Sequence, residues 1–256
     1  MSETVLEAKY ITKVYGNAGE ENATKALNGV DVKIEAGDFV AIMGPSGSGK
    51  STLVNILSGI TKPTSGTVTI KGRQIETMNP SEMALFRRRS LGFVFQEFNL
   101  LDSLTMKENI VLPMVLDKKP AQQMEAKAYE IMHLFGIEAV GHKYPYEVSG
   151  GQQQRAAVSR ALMNDPVIVF ADEPTGNLDS KSSNAVMNCF KTMNEEKNTT
   201  ILMVTHDVFA ASFCKEVIFI KDGRITLTAE RKGTRKEFFS HILDCQAVVG
   251  GESNEI

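Results

Sequence analysis

Long apolar runs are missing from this chain of 256 residues: none approaches the roughly 18–20 residues that a membrane-spanning helix needs. A basic excess is missing as well. With 28 Lys and Arg against 31 Asp and Glu, the net charge is −3, and nothing global points to nucleic acid. Cysteine is scarce. Cys189, Cys214 and Cys245 are odd in number and far apart, match no metal spacing, and read as small buried hydrophobes in a reducing compartment. The first residues are polar and acidic, which predicts no secretion signal. Internal repeats and low-complexity tracts are absent too. What remains is 42% hydrophobic and 23% charged, ordinary for a soluble globular protein and sufficient for a substantial core in one or two domains.

One stretch dominates what is there. Gly44, Pro45, Ser46, Gly47, Ser48, Gly49, Lys50 and Ser51 fit G-x-x-x-x-G-K-[ST], the pattern of a phosphate-binding loop. Residues 39–43 before it are short and apolar, like a buried parallel strand, and residues 52–57 after it begin a helix. That strand–loop–helix context separates the motif from an accidental Gly/Ser turn. Glycine lets the backbone wrap closely round an anion, and successive N–H groups at a helix N-terminus face it. Lys50 can neutralise the β- and γ-phosphates of a nucleotide, and the Ser51 hydroxyl can hold Mg2+.

Upstream, residues 5–8 and 31–34 read as strands of an antiparallel region, joined by a polar loop from Gly16 to Thr24. Tyr15, at the edge of that loop, is either a half-buried strand tyrosine or an exposed plate on which a base can stack. Downstream, Ser65-Gly66 reads as a turn, residues 67–70 as a strand and Lys71-Gly72-Arg73 as a second turn. Arg87-Arg88-Arg89 reads as the solvated basic face of a helix. Residues 91–95 read as a buried strand ending at Gln96. Over 97–165 strands give way to helices at 106–115 and 121–135, punctuated by Pro113, Pro120 and Pro145, as in a helical insert within an α/β core. The insert closes on Ser149-Gly150-Gly151-Gln152 at the start of a helix, either a second anion cradle or a plain N-cap with a flexible turn.

Residues 167–171 form a continuous apolar strand that ends in Asp172-Glu173. Two carboxylates at the end of a buried strand are costly unless they serve a cation or a proton, and strand C-terminal ends are where open α/β sheets bind ligands. An exposed acidic turn is the plain alternative. As strand neighbours, the two side chains are expected to start toward opposite faces. A turn through Asp179 follows, then a helix over 181–191 and a strand over 200–205 that delivers His206; residues 216–220 lead to a turn at 221–224. Strands alternating with helices predict an α/β fold with a mostly parallel sheet covered on both faces. Near the C-terminus, Phe238, Phe239, Ile242 and Leu243 recur at helical spacing and predict a helix over 237–249 that docks by that face. His133, His142 and His241 read as solvated or core histidines.

Taken in order, the phosphate loop, Gln96, Val148-Ser149-Gly150-Gly151-Gln152, Asp172-Glu173 and His206 resemble the ATP-binding subunit of ATP-binding cassette (ABC) transporters over about residues 5–230. Val148 stands where that family usually has leucine. The resemblance implies a P-loop NTPase (RecA-like) core with an N-terminal antiparallel β subdomain and an inserted α-helical subdomain. It implies a cassette over residues 1–232, with the helical insert at about 97–165, and a partly helical tail over 233–256. It implies ATP and Mg2+. Tyr15 then stacks on adenine, the loop from Gly44 through Ser51 to Thr52 cradles phosphate, and Ser51, Gln96 and Asp172 serve the metal. Glu173 is the general base, Gln96 links metal and water to the membrane partner, and His206 senses the γ-phosphate. Ser149, Gly151, Gln152 and Asp179 act across the interface of a head-to-tail dimer that closes on two ATP molecules. The implied partners are a second copy and a separate permease, with no nucleic acid, and the implied place is the cytoplasmic face of the membrane.

Residues 95–101 and 171–179 look like the subgroup serving macrolide export, lipoprotein release and peptide-antibiotic resistance, and residues 219–223 with the tail look most like bacitracin-type transporters. Antimicrobial-peptide resistance or export is the resulting expectation, with lipoprotein release or macrolide export as the alternative. Soluble ABC-type ATPases of DNA repair or translation resemble tandem cassettes or carry long coiled insertions, and this chain has neither. A P-loop kinase or GTPase would leave the signature at 148–152 unexplained.

Overall fold

The computed structural model describes residues 3–16 and 23–251. In chain order the elements are β1 (Thr4–Tyr15), β2 (Thr24–Glu35), β3 (Phe39–Met43), α1 (Lys50–Leu57), β4 (Ser65–Ile70), β5 (Arg73–Gln74), α2 (Pro80–Ser90), β6 (Leu91–Val94), α3 (Met106–Leu116), α4 (Ala121–Leu134), α5 (Gly150–Leu162), β7 (Ile168–Asp172), α6 (Ser180–Lys197), β8 (Ile201–Val204), α7 (Val208–Ala211), β9 (Glu216–Lys221), β10 (Arg224–Glu230) and α8 (Arg235–Gly250). The chain divides into two compact units, Met1–Met83 with Leu202–Ile256, and Ala84–Ile201. Among the described residues no helix is long and apolar enough to cross a membrane.

In the first unit β2, β1, β4 and β5 form an antiparallel sheet. Along β2, Val30, Val32 and Ile34 are buried while Asp31 and Lys33 between them are exposed, as a pleat of period two demands. β1 and β2 run for 12 residues each, longer than the sequence pattern indicates. A bulge lets them do so: Tyr10 turns to φ 51° and its N–H donates to Asp31 Oδ1 at 2.7 Å. The expected loop from Gly16 to Thr24 lies mostly outside the described residues. Ser65-Gly66 is not a turn but the start of β4. A Cβ at Gly66 would stand 2.5 Å from the Tyr10 oxygen, so this glycine serves a close strand approach, which sequence cannot tell from a turn. Lys71 and Gly72, at φ 48° and 74°, do make the expected hairpin turn between β4 and β5.

The same unit contains strands β10, β9, β3 and β8 in that order, β3 parallel to β9 and β9 antiparallel to β10. All five residues of β3 are buried, as its apolar run predicts. α8 starts with a capping box between Thr234 and Glu237 and packs on α7, β9 and β10. Its buried residues are Phe238, Ile242, Cys245 and Val249. Two of the four expected residues, Phe238 and Ile242, lie on this face, and two do not: Leu243 is 46% exposed and Phe239 only half-buried. The stripe through Phe239 and Leu243 meets Gln246 next, whereas the stripe through Phe238 stays apolar to the end of the helix. Both ends of α8 are tied down. The Arg235 guanidinium lies 4.2 Å from the Phe213 ring and 5.4 Å from the Phe209 ring, and Lys221 Nζ donates to Val249 O at 2.7 Å.

The second unit takes in the helical stretch at 97–165 together with α2, β6, β7 and α6. β6 and β7 pair in parallel, and α5 packs on α3, α4, α6 and β6. Pro113 lies inside α3, near its C-terminal end. In that last turn its missing N–H costs a single helical bond. The arginine run is more than a solvated face. Arg88 and Arg89 reach Asp117, the C-cap of α3, at 2.9 and 3.1 Å, and the Asp117 side chain is buried. The three cysteines are free and buried, and burial pushes the Cys189 thiol up to about 12 and Cys214 well above its ordinary value. They are neutral packing groups, not nucleophiles.

Two stability predictions follow from this packing. Ile242→Ala is expected to cost about 2–5 kcal/mol in denaturant unfolding, while Leu243→Ala stays within about 0.5 kcal/mol. Glu216 faces Glu230 across β9 and β10, and burial, then the charges of Asp38 and Glu230, push its carboxyl above the ordinary range. The folded chain therefore binds this proton more tightly than the unfolded chain. Its contribution to stability is fully present below the ordinary glutamate pKa and is lost as pH rises through the raised folded value. Glu216→Gln should raise Tm at pH 7, with the gain gone by about pH 4, as thermal melts at the two pH values would reveal.

Candidate functional site

In the first unit, Gly44 to Gly49 link buried β3 to α1. A Cβ at Gly44 would stand 2.0 Å from Ile220 O, and one at Gly49 2.5 Å from Ala26 O, so the loop presses its backbone on neighbouring backbone. A Cβ at Gly47, by contrast, would meet nothing within 4 Å: the crest of the loop is open. Gly49 is the N-cap of α1 in the left-handed region, and no side chain caps that helix. Its first-turn N–H groups, among them those of Ser51 and Thr52, are therefore not consumed by a cap, which is the condition an anion site needs. Lys50 Nζ donates to Gly44 O and Pro45 O, each at 2.9 Å, and is held over the loop instead of extending into solvent. Pro45 and Ser46 are exposed, Ser48 is buried, and Ser51 is exposed at the loop's end.

Tyr15 ends β1 as a strand tyrosine that is 44% exposed; Lys13 Nζ lies 5.1 Å from the ring centroid. His206 follows β8 on a short turn. Buried Thr205 precedes it and accepts from Asp207 N–H at 3.0 Å, and Asp207 in turn caps α7 through Phe209 N–H at 2.8 Å. The imidazole is exposed at the end of this braced turn.

The second unit brings the remaining motif residues together. Gln96 Nε2 donates to Asn177 Oδ1 at 3.0 Å, and Asn177 Nδ2 donates back to Gln96 O at 3.3 Å. β6 stops at Val94, two residues short of the expected end, and the turn carrying Gln96 is thereby joined to the turn after Asp172-Glu173. β7 stops at Asp172, and Glu173 lies at φ 46°. The pleat argument for the two carboxylates therefore does not reach Glu173, whose direction is set by a left-handed backbone. Such a conformation costs of order 1–3 kcal/mol in a non-glycine residue and gathers at functional sites. Both carboxylates are half-buried. Asp179 caps α6, accepting from Lys181 N–H at 2.9 Å, Ser182 N–H at 3.0 Å and the Ser182 hydroxyl at 2.7 Å. Those bonds, the Ser182 hydroxyl first, hold its carboxyl below the ordinary range.

The segment at 149–152 is a helix start closed by a capping box. Gln152 N–H donates to Ser149 Oγ at 3.3 Å and Ser149 N–H to Gln152 Oε1 at 3.0 Å. A Cβ at Gly151 would stand 2.8 Å from Ser182, and one at Gly150 3.3 Å from Leu178 and 3.5 Å from Phe98. These two glycines let α5 begin in contact both with the segment after Gln96 and with the segment around Asp179. Sequence reasoning missed the residues that support this cluster. Gln154, fully buried, donates to Phe95 O at 3.1 Å and to Pro174 O at 2.7 Å. Arg160 donates to Asn99 O and, at 2.9 Å, to Phe98 O. Buried Asn109 donates to Leu101 O, Leu104 O and Thr105 O and accepts from Leu101 N–H. The run Gln152-Gln153-Gln154 was the available signal, but spacing does not say which of the three amides turns inward.

A family model described as ABC transporter matches residues 27–176. An uncharacterized ABC transporter ATP-binding protein of Bacillus subtilis is 51% identical over 251 residues, covering 98% of this chain and 97% of its own. The bacitracin export ATP-binding protein of Halalkalibacterium halodurans is 47% identical over 253 residues, covering 98% and 99%. Among solved structures, the dimeric post-hydrolysis state of an ATP-binding cassette of Methanocaldococcus jannaschii, bound to ADP and Pi, is similar with a TM-score of 0.80 at 39% identity, covering 89% of this chain and 99% of that one. The α/β architecture is that of a P-loop NTPase cassette. The chain belongs to the ABC transporter family, as an ATP-binding and ATP-hydrolysing subunit.

Proposed function

We propose that this subunit pairs head-to-tail with a second copy on two Mg–ATP and powers a separate permease, from the cytoplasmic face of the membrane, for resistance to or export of antimicrobial peptides. The observation that carries the substrate class is the 47% identity to a bacitracin export subunit over nearly the whole length of both chains. Lipoprotein release or macrolide export is the second reading, since the segments at 95–101 and 171–179 suit those transporters as well as peptide-antibiotic ones. The cassette is taken as residues 1–232, with its helical insert at about 97–165, and the tail as 233–256. Cells lacking the subunit should lose tolerance to peptide antibiotics and keep their tolerance to macrolides. The opposite pattern would favour the second reading.

In this reading Tyr15 offers its exposed ring to adenine, the loop from Gly44 to Thr52 receives the phosphates, and His206 senses the γ-phosphate. Ser149, Gly151, Gln152 and Asp179 face the partner's nucleotide. The residues fit Mg2+: the Ser51 hydroxyl, the Asp172 carboxylate and the Gln96 amide are hard oxygen donors. No group of three or more His, Cys, Asp or Glu forms a metal cluster among the described residues, which suits an ion that takes its other ligands from phosphate and water. When bound, Mg2+ neutralises charge on the phosphates. Glu173 takes the proton of the attacking water. Beside β6, a cavity of about 310 Å3 lined by Leu91, Phe93, Phe95, Leu112 and Leu116, with Arg87, Arg88, Arg160 and Asn164, would seat a cytosolic segment of the permease.

Lys50→Ala should weaken ATP binding by about 10–100-fold, the worth of a hydrogen-bonded charge on phosphate. Titration with a fluorescent nucleotide measures this, and unchanged affinity would remove Lys50 from the site. Glu173→Gln should bind ATP almost normally yet hydrolyse it about 10²–10⁴-fold more slowly. It should accumulate as a dimer with ATP and not with ADP, as read by phosphate release and light scattering.

A further inference from the structure

We propose that Gln154 is a positioning residue for hydrolysis, whose single buried amide sets the turn that carries Gln96 and the turn that carries Glu173. This rests on the roles given above to those two residues. Gln154 is 0% exposed and its Nε2 serves two carbonyls, Phe95 O at 3.1 Å and Pro174 O at 2.7 Å. Phe95 precedes Gln96, and Pro174 follows Glu173. Two acceptors dictate which way the amide faces, since the flipped group would set oxygen against oxygen. Its Oε1 is buried with no hydrogen-bond partner among the described residues, so the side chain is not satisfied as a packing amide would be. The bond to Pro174 matters most where the chain is strained. Glu173 stands at φ 46°, and a strained residue persists only when its surroundings over-determine it. β7 holds the chain before Glu173. After it, Gly176 N–H donates to Glu173 O at 3.1 Å and Gln154 grips Pro174.

Gln154 also lies in the second turn of α5, the helix that begins at the signature Ser149-Gly150-Gly151-Gln152. A movement of that helix start, such as engagement of a partner's nucleotide, would reach both carbonyls through one side chain. The signature would then influence the geometry of the base in its own subunit as well as the nucleotide across the dimer.

The test uses the full-length chain. Gln154→Met keeps length and volume but donates nothing; Gln154→Glu keeps shape but points a carboxylate at two carbonyls. Rates are taken per mole of nucleotide bound, which removes any unfolded fraction. The expected result is a fall in kcat of about 10²-fold, the cost of misplacing a catalytic group by about 1 Å, with KM and ATP affinity within about twofold of wild type. In the Glu173→Gln background Gln154→Met should cost far less than in wild type, because the part of its action that passes through the base is already lost. Wild-type kcat in Gln154→Met beside a slow Glu173→Gln would overturn the positioning role and leave the base intact. Equal losses in both backgrounds would mark independent structural damage and overturn it too. Wild-type turnover in Glu173→Gln would instead bring down the base assignment and, with it, this proposal. Should the Met variant fail to fold, the Glu variant carries the same comparison.

Discussion

At Gly44 a single added carbon would stand 2.0 Å from the carbonyl of Ile220, and much of the first unit takes its form from that closeness. A loop that turns its N–H groups outward to an anion must rest its back on something already satisfied. Here the support is backbone. Gly223 N–H donates to Ser48 O at 3.1 Å, and Asn28 N–H donates to Gly223 O at 2.8 Å. Glycines 49 and 223 both crowd Ala26 O, where any side chain would collide. The end of β2, the tip of the β9–β10 hairpin and the phosphate loop therefore meet main chain to main chain. α8 braces the same hairpin through Lys221, so the C-terminal helix belongs to the support of the loop and is not an appendage.

The second unit meets a different difficulty. Its motif residues Gln96 and Glu173 stand on irregular chain between β6 and α3 and between β7 and α6, where no ladder satisfies the carbonyls. Buried side chains supply the donors instead. Gln154 and Arg160 from α5, with Asn109 from α3, hold the backbone at Phe95, Phe98, Asn99, Leu101, Leu104, Thr105 and Pro174. Side chains of one helix, α5, thereby hold both irregular segments, and loops held by a scaffold can keep a fixed geometry.

Much of this was legible in the residues. β3 and β7 read as buried strands because five consecutive apolar residues fit little else of that length. The phosphate loop is a contiguous pattern, and contiguous patterns survive without knowledge of the fold. Other features misled for identifiable reasons. Gly66 looked like a turn because glycine serves turns and close approaches alike. α8 offered two adjacent apolar stripes, and the packing of β9, β10 and α7 chose the one through Phe238. Arg88 and Arg89 looked solvated because Asp117 is distant in sequence.

By itself the sequence determined the buried strands β3, β7 and β8, most of the long helices, and the phosphate-loop pattern with Gln96, Asp172, Glu173 and His206 close to strand ends, all properties that depend on neighbours a few residues away. Only the tertiary structure decided the left-handed turn at Glu173 and the choice of Gln154 as the amide that points inward. The last depends on partners 20 and 59 positions distant, Pro174 and Phe95. A buried donor finds its acceptor through the packing of the whole chain, and no periodicity in the sequence records that choice.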